Sequence, residues 1–131
     1  MQVQTEDNCL ICGKKNANGL KIDFVLDTDN HKAFAKATVG KMFNGYVGIV
    51  HGGIICALLD EVGFHACKTV GAITVTMNLN TKFKRPVPVD KELYLEGQVI
   101  EKRSRSIIAS SKLMLDGQIL ATASGEYYIN K

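Results

Sequence analysis

Residues 44–67 place two histidines, several glycines and two carboxylates at spacings that could polarise a carbonyl and activate water. His51, Gly52 and Gly53 lead into a run where Ile55, Leu58, Leu59, Val62 and Ala66 recur at helical spacing. A helix starting near Gly52 leaves its first backbone N–H groups without intrahelical partners, and negative charge is favoured there. With no side chains at Gly52 and Gly53, both amides are expected to be open to a ligand. A carbonyl resting on them would be polarised and an oxyanion stabilised.

The polar positions inside the run are Asp60, Glu61 and His65. The run is apolar almost all the way round, which reads as a buried helix. An ionised carboxylate there is costly unless paired. Glu61 has a local partner in His65 at i+4. Asp60 has none, and its neighbours at helical spacing (Gly53, Cys56, Gly63 and Cys67) are small. That stripe would let a ligand or another chain approach, so Asp60 reads as a base or nucleophile. A carboxylate capping a nearby loop is the plainer alternative. Successive helix positions point about 100° apart, so only one of Asp60 and Glu61 faces a given cleft. Asp60 also lies roughly 12 Å beyond Gly52 along a helix axis. One carbonyl cannot touch both. It can touch the N-terminus of one helix and the aspartate of a second, antiparallel copy, so the spacing points to a site shared by two subunits.

The rest of the chain must position this helix. Leu20, Ile22, Phe24 and Leu26 alternate as in a half-buried strand, and residues 31–39 form a second, with Ala33, Ala35, Ala37 and Val39 on one face. After the helix comes the longest alternation, with Ile73, Val75, Met77, Leu79 and Phe83 on one side and Thr74, Thr76, Asn78 and Asn80 on the other. It closes in a proline turn at residues 85–90. Strands at about 92–101 and 105–115 follow, then Asp116-Gly117, a strong hairpin signal, and a last strand carrying Ile119, Ala121, Ala123, Tyr127 and Ile129. The order predicts an α+β domain: two strands, a helix, then four strands in a meander, with a mainly antiparallel sheet that curls around the helix or is covered by a second subunit. Small residues such as Ala33, Ala35, Cys56, Gly63 and Ala66 are candidates for lining a pocket.

At 131 residues the chain suits a single domain, 1–131. A net charge of +3 is too small to argue for nucleic acid. No apolar run is long enough to span a membrane. Residues 1–7 show no secretory signal pattern, and two of the four cysteines fall in the buried run, so a cytoplasmic location is expected. Cys9 and Cys12 have the spacing of half a zinc site or a redox pair. With no second such pair, and with histidines at 31, 51 and 65 unsuitably spaced, they read as a structural turn with partly buried thiols. A metal site completed by a second subunit is the alternative.

Several segments together resemble one family. His51-Gly52-Gly53 followed by Asp60 looks like the signature of hotdog-fold acyl-CoA thioesterases of the PaaI-like branch. Cys12-Gly13 with Gly19-Leu20, Asn44-Gly45-Tyr46, Leu58-Leu59-Asp60-Glu61 and Phe83-Lys84-Arg85-Pro86-Val87-Pro88 also match, so the resemblance covers nearly the whole chain. It implies a curved antiparallel sheet of about six strands around one long helix, and hydrolysis of an acyl-CoA thioester without metal or cofactor. It implies that Gly52 polarises the carbonyl and that Asp60 of the partner subunit acts as general base or nucleophile. Thr76 would orient the water or the carboxylate, and Asn44 would hold the loop or assist at the carbonyl. His51 would brace the loop, and Gly53 would lie beside the substrate. Lys82, Lys84, Arg85, Arg103 and Arg105 are candidate contacts for the phosphates of coenzyme A, against the simpler reading of a solvated charged rim. A homodimer, and beyond it a dimer of dimers, is the expected assembly. Two alternatives are a hotdog module that binds an acyl thioester without turnover, and a hydratase or dehydratase using the His65–Glu61 pair.

Overall fold

The structure, a computed structural model, describes residues 3–130. Met1, Gln2 and Lys131 lie outside it, and with them the start of the stretch read for a secretory signal. Six strands and one long helix follow in the order β1 (Val25–Asp27), β2 (Lys32–Thr38), α1 (Gly52–Lys68), β3 (Thr74–Phe83), β4 (Glu92–Lys102), β5 (Ser106–Leu115) and β6 (Gln118–Ile129), with a short 3-10 turn at Lys41–Phe43. All pairings are antiparallel. The sheet order is β1-β2-β4-β5-β6-β3.

That order corrects the expected four-strand meander. β4, β5 and β6 do form one, and the β5–β6 turn is the Asp116-Gly117 pair, with φ of 49° and 79°. Both central residues at positive φ make the turn whose twist suits a tight hairpin. β3, however, pairs with β6 rather than β4. Residues 84–91 carry the chain from one edge of the sheet to its middle. Short connections establish antiparallel direction but not which strand is the neighbour.

The inner face of the sheet follows a period of two: Leu93, Leu95 and Gly97 on β4, Ile107, Ala109, Ser111 and Leu113 on β5, and Ala121, Ala123, Gly125 and Tyr127 on β6 are buried. Helix α1 lies on this face with Ile55, Leu58, Leu59, Val62 and Ala66 in the core. Ala33, Ala35 and Ala37 are buried in the same core. A Cβ at Gly97 would sit 2.4 Å from the Val62 carbonyl oxygen, so glycine there lets the helix backbone press onto β4.

Two further expectations change. The first strand is only Val25–Asp27. Residues 20–22 instead pair with the Cys9–Cys12 turn, the N–H groups of Leu20 and Ile22 donating to the carbonyls of Leu10 and Ile11, each at 2.9 Å. In β3, a bulge between Thr76 and Asn78 shifts the register. Ile73, Met77 and Phe83, read on one side of the strand, are exposed, and Thr74, read on the other, is buried. The bulge splits the strand: before it Thr76 faces the helix and reaches Asp60, and after it Leu79 packs against the core and Phe83 stands beside Gly52.

Candidate active site

The helix start and Asp60 form two separate half-sites. His51 is the N-cap of α1, and its Nδ1 accepts from the Gly53 N–H at 2.9 Å. The His51 carbonyl accepts from Ile54 and Ile55. Gly53 is therefore not an open donor, which corrects the expectation for that residue. Gly52 remains: among the described residues no acceptor reaches its N–H, and a Cβ there would meet only the Phe83 ring, at 3.7 Å. The loop before it is held by backbone bonds from Gly45 to Ile49, Val50 to Val87 and His51 to Phe43. A cavity of about 630 Å³ opens at this helix end. Tyr46, Ile49, Gly52, Phe83, Lys84 and Arg85 are among the residues around it.

Asp60 does not line that cavity. It is half-buried two turns along α1, where its Oδ1 accepts a hydrogen bond from the Thr76 hydroxyl at 2.8 Å. The backbone carbonyl of Asp60 accepts from the Tyr127 hydroxyl at 3.1 Å. That contact exists because residue 63 is glycine: a Cβ there would stand 2.3 Å from the Tyr127 oxygen. Gly63 is thus filled by Tyr127, and Ala33, Ala35 and Ala66 are buried in the core, so these small residues do not line a cavity as expected. Nothing local in the sequence pointed to Tyr127 except the mid-helix glycine, which costs helix stability unless something must come close.

Glu61 and His65 do not form the expected pair. Glu61 Oε1 accepts from the thiols of Cys9 at 3.1 Å and Cys12 at 3.8 Å. Burial pushes the Glu61 carboxyl above its usual value, opposed by the Cys9 hydrogen bond. His65 stacks on Phe24 with ring centroids 4.2 Å apart, and its Nε2 is buried without a partner among the described residues. Burial, with the Lys68 charge, lowers its pKa to about 4. The His–carboxylate arrangement that a hydratase reading required is not formed here.

The remaining candidates are spread out. Lys84 and Arg85 border the cavity, and Lys82 is exposed on β3. Arg103 and Arg105 lie in the β4–β5 turn, at the end of the sheet where Ser106 pairs with Tyr128 and Thr74 with Ile129. Phe83, beside Gly52, is at the opposite end of β3. Arg103 is also engaged, 2.5 Å from Glu101 and 3.4 Å from Glu126. Within one chain these two arginines do not meet the cavity. Asn44 is exposed beside the 3-10 turn, and its backbone bridges to Val50.

One helix packed on a six-stranded antiparallel sheet in this order, with a capped glycine turn at the helix start, defines a hotdog-fold protein. The family model described as the thioesterase superfamily matches residues 47–121, and the chain belongs to that superfamily. It is 30% identical over 108 residues to protein SSO2140 of Saccharolobus solfataricus, covering 80% of this chain and 76% of that one. It is also 30% identical over 98 residues to the bovine acyl-coenzyme A thioesterase THEM4, covering 71% of this chain and 39% of THEM4. The chain thus spans well under half the length of that enzyme. Among solved structures, the thioesterase superfamily protein RHA08564 superposes with a TM-score of 0.86 at 26% identity, covering 95% of this chain and 61% of that one. Zebrafish thioesterase superfamily member 2 superposes with a TM-score of 0.79 at 16% identity, covering 91% and 90%. The last likeness is one of fold.

Proposed function

We propose that this chain hydrolyses an acyl-CoA thioester to a free acid and coenzyme A. The observation that carries the reading is the Asp60 carboxylate held by Thr76 at 2.8 Å, with a second, separate half-site at the free Gly52 amide. With Oδ1 engaged by the Thr76 hydroxyl, Oδ2 is left to take a proton from water. Water adds to the carbonyl carbon, and the oxyanion rests on the Gly52 N–H at the positive end of α1. The tetrahedral intermediate then expels the coenzyme A sulfur, which receives the proton held by Asp60. A thioester is already activated, so a polarised carbonyl and a positioned water suffice. If Asp60 attacks directly, a mixed anhydride forms and water cleaves it. Single turnover in ¹⁸O-water separates the two routes, because only the anhydride route can leave label in the Asp60 carboxyl.

The two half-sites come together through a homodimer. β3 is a sheet edge that leaves Ile73, Met77 and Phe83 between 52% and 58% exposed. Two such edges paired antiparallel would cover these side chains and set two α1 helices in opposite directions. Gly52 of one chain would then approach Asp60 of the partner subunit across the roughly 12 Å that separates them along a single helix. Lys84 and Arg85 at the cavity are the cations best placed for the phosphates of coenzyme A. A dimer of dimers is a further level of the same assembly. Bovine THEM4 is named an acyl-coenzyme A thioesterase, and one solved relative of the fold is described as bound to acetyl CoA; both agree with this substrate class.

The test is a panel of acyl-CoA substrates scored by thiol release, with Asp60→Asn alongside. We expect turnover by the natural chain and a loss of about 10²–10⁴-fold in kcat in the variant, with the dimer intact by sedimentation. Ligand-induced rises in melting temperature without any thiol release would favour a non-catalytic binding module instead. Full activity in Asp60→Asn would remove Asp60 from the mechanism.

A further inference from the structure

The residues around Glu61 on the other side of α1 form a cluster that hydrolysis does not use. We propose that Cys9, Cys12 and Glu61 bind a thiophilic divalent cation of the zinc class through two sulfurs and one carboxylate oxygen. The three ligand atoms all lie within 4.8 Å of one another. Bond lengths of about 2.3 Å to sulfur and about 2.0–2.2 Å to oxygen place neighbouring ligands of a tetrahedral zinc roughly 3.5–3.8 Å apart. The Cys9 and Cys12 sulfurs stand 3.1 and 3.8 Å from Glu61 Oε1, so only small side-chain movements separate this arrangement from a coordinating one.

The turn carrying the cysteines holds both near Glu61. The N–H groups of Ile11 and Cys12 point at Cys9 Sγ, at 3.3 and 3.5 Å, and the Gly13 N–H closes the turn onto the Cys9 carbonyl at 2.9 Å. These two amides hold Cys9 Sγ in place facing Glu61. A Cβ at residue 13 would stand 2.2 Å from the Cys9 nitrogen, so only glycine closes the turn this tightly. The third ligand projects from the rigid helix α1, half-buried and with no cationic partner among the described residues. Two sulfurs in the ligand set select zinc or cobalt over magnesium or calcium.

On binding, each thiol releases its proton to solvent and the cation exchanges water for two thiolates and the carboxylate, keeping a fourth position for water. The site would staple residues 9–12 to the helix turn that carries Asp60. The inference does not rest on the hydrolase reading, and its test reads metal rather than turnover.

Reduced, metal-free full-length protein is titrated with cobalt(II) without oxygen. The expected result is saturation at one equivalent per chain, with a sulfur-to-cobalt charge-transfer band that zinc(II) abolishes. Cys9→Ser and Cys12→Ser should each lose the band, and Glu61→Gln should raise the cobalt Kd by more than about tenfold. Cys56→Ser, with its thiol on the other side near Thr81, and Asp60→Asn should bind as the natural chain does. Circular dichroism of each variant establishes that it is folded. Absence of the charge-transfer band in the folded natural chain overturns the site, as does equal binding by a folded Cys9→Ser/Cys12→Ser double variant. Unchanged binding by Glu61→Gln removes the third ligand and with it the proposed coordination.

Discussion

The Thr76 hydroxyl donates to Asp60 Oδ1 across 2.8 Å, joining the edge strand β3 to the middle of the helix. The bond fixes one carboxylate oxygen, and the other has no side-chain partner among the described residues; under the proposed mechanism that second oxygen meets the water. Thr76→Ala should lower kcat about tenfold with little change in KM, and Thr76→Ser should retain most of the rate. Steady-state thiol release measures both. Equal losses in Ser and Ala would show that the strand position matters rather than the hydroxyl.

His51 caps α1 through the Gly53 amide, at 2.9 Å. Removing an N-cap acceptor costs about 1 kcal/mol. His51→Ala should lose that much stability in urea denaturation. His51→Asn, whose side-chain oxygen can accept the same bond, should lose only a few tenths.

Gly63 and Tyr127 occupy one space. Gly63→Ala puts a methyl 2.3 Å from the Tyr127 oxygen and should cost about 1–3 kcal/mol. Tyr127→Phe loses the bond to the Asp60 carbonyl and should cost about 1 kcal/mol. With the oxygen gone, the nearest ring atom is 3.1 Å from the new methyl, so the double variant should be more stable than the two losses added together. Simple additivity in denaturation would show that the clash relaxes elsewhere.

His65 is buried as the neutral imidazole, its pKa lowered from 6.5 to about 4. The unfolded chain therefore binds a proton between these values that the folded chain refuses. Stability falls as pH drops through this window, by about 2 kcal/mol between pH 7 and pH 5. Glu61 acts in the opposite sense, because its raised pKa favours the folded chain as pH falls. The comparison must therefore be with His65→Phe, which keeps Glu61. The variant should lose about 2 kcal/mol less than the natural chain over that interval, measured by denaturant titration at the two pH values. Parallel losses would mean that the imidazole protonates in place.

Lys84 and Arg85 border the cavity at the helix start. If they meet the phosphates of the substrate, Arg85→Ala raises KM several-fold at low salt with kcat nearly unchanged. The difference should shrink as ionic strength rises and the Debye length shortens. A KM effect independent of salt would mean a packing role.

Much of the architecture was legible locally. Helix α1 runs from Gly52, where the apolar periodicity and paired glycines placed its start, and β4, β5 and the Asp116-Gly117 turn lie where alternation and turn chemistry put them. These features depend on backbone periods and on the φ preferences of a few residues, which neighbours along the chain specify. Asp60 stood out in the same way, as a charge without a local partner in an apolar run. Tertiary structure decided the rest. The partner of β3, the bulge that brings both Thr76 and Leu79 to the helix side, the loss of the Gly53 amide to His51, the Tyr127 oxygen over Gly63 and the transfer of Glu61 from His65 to Cys9 and Cys12 all join residues whose spacing encodes no contact. Such partners are chosen by which faces can be buried together, a property of the folded whole and not of any one segment.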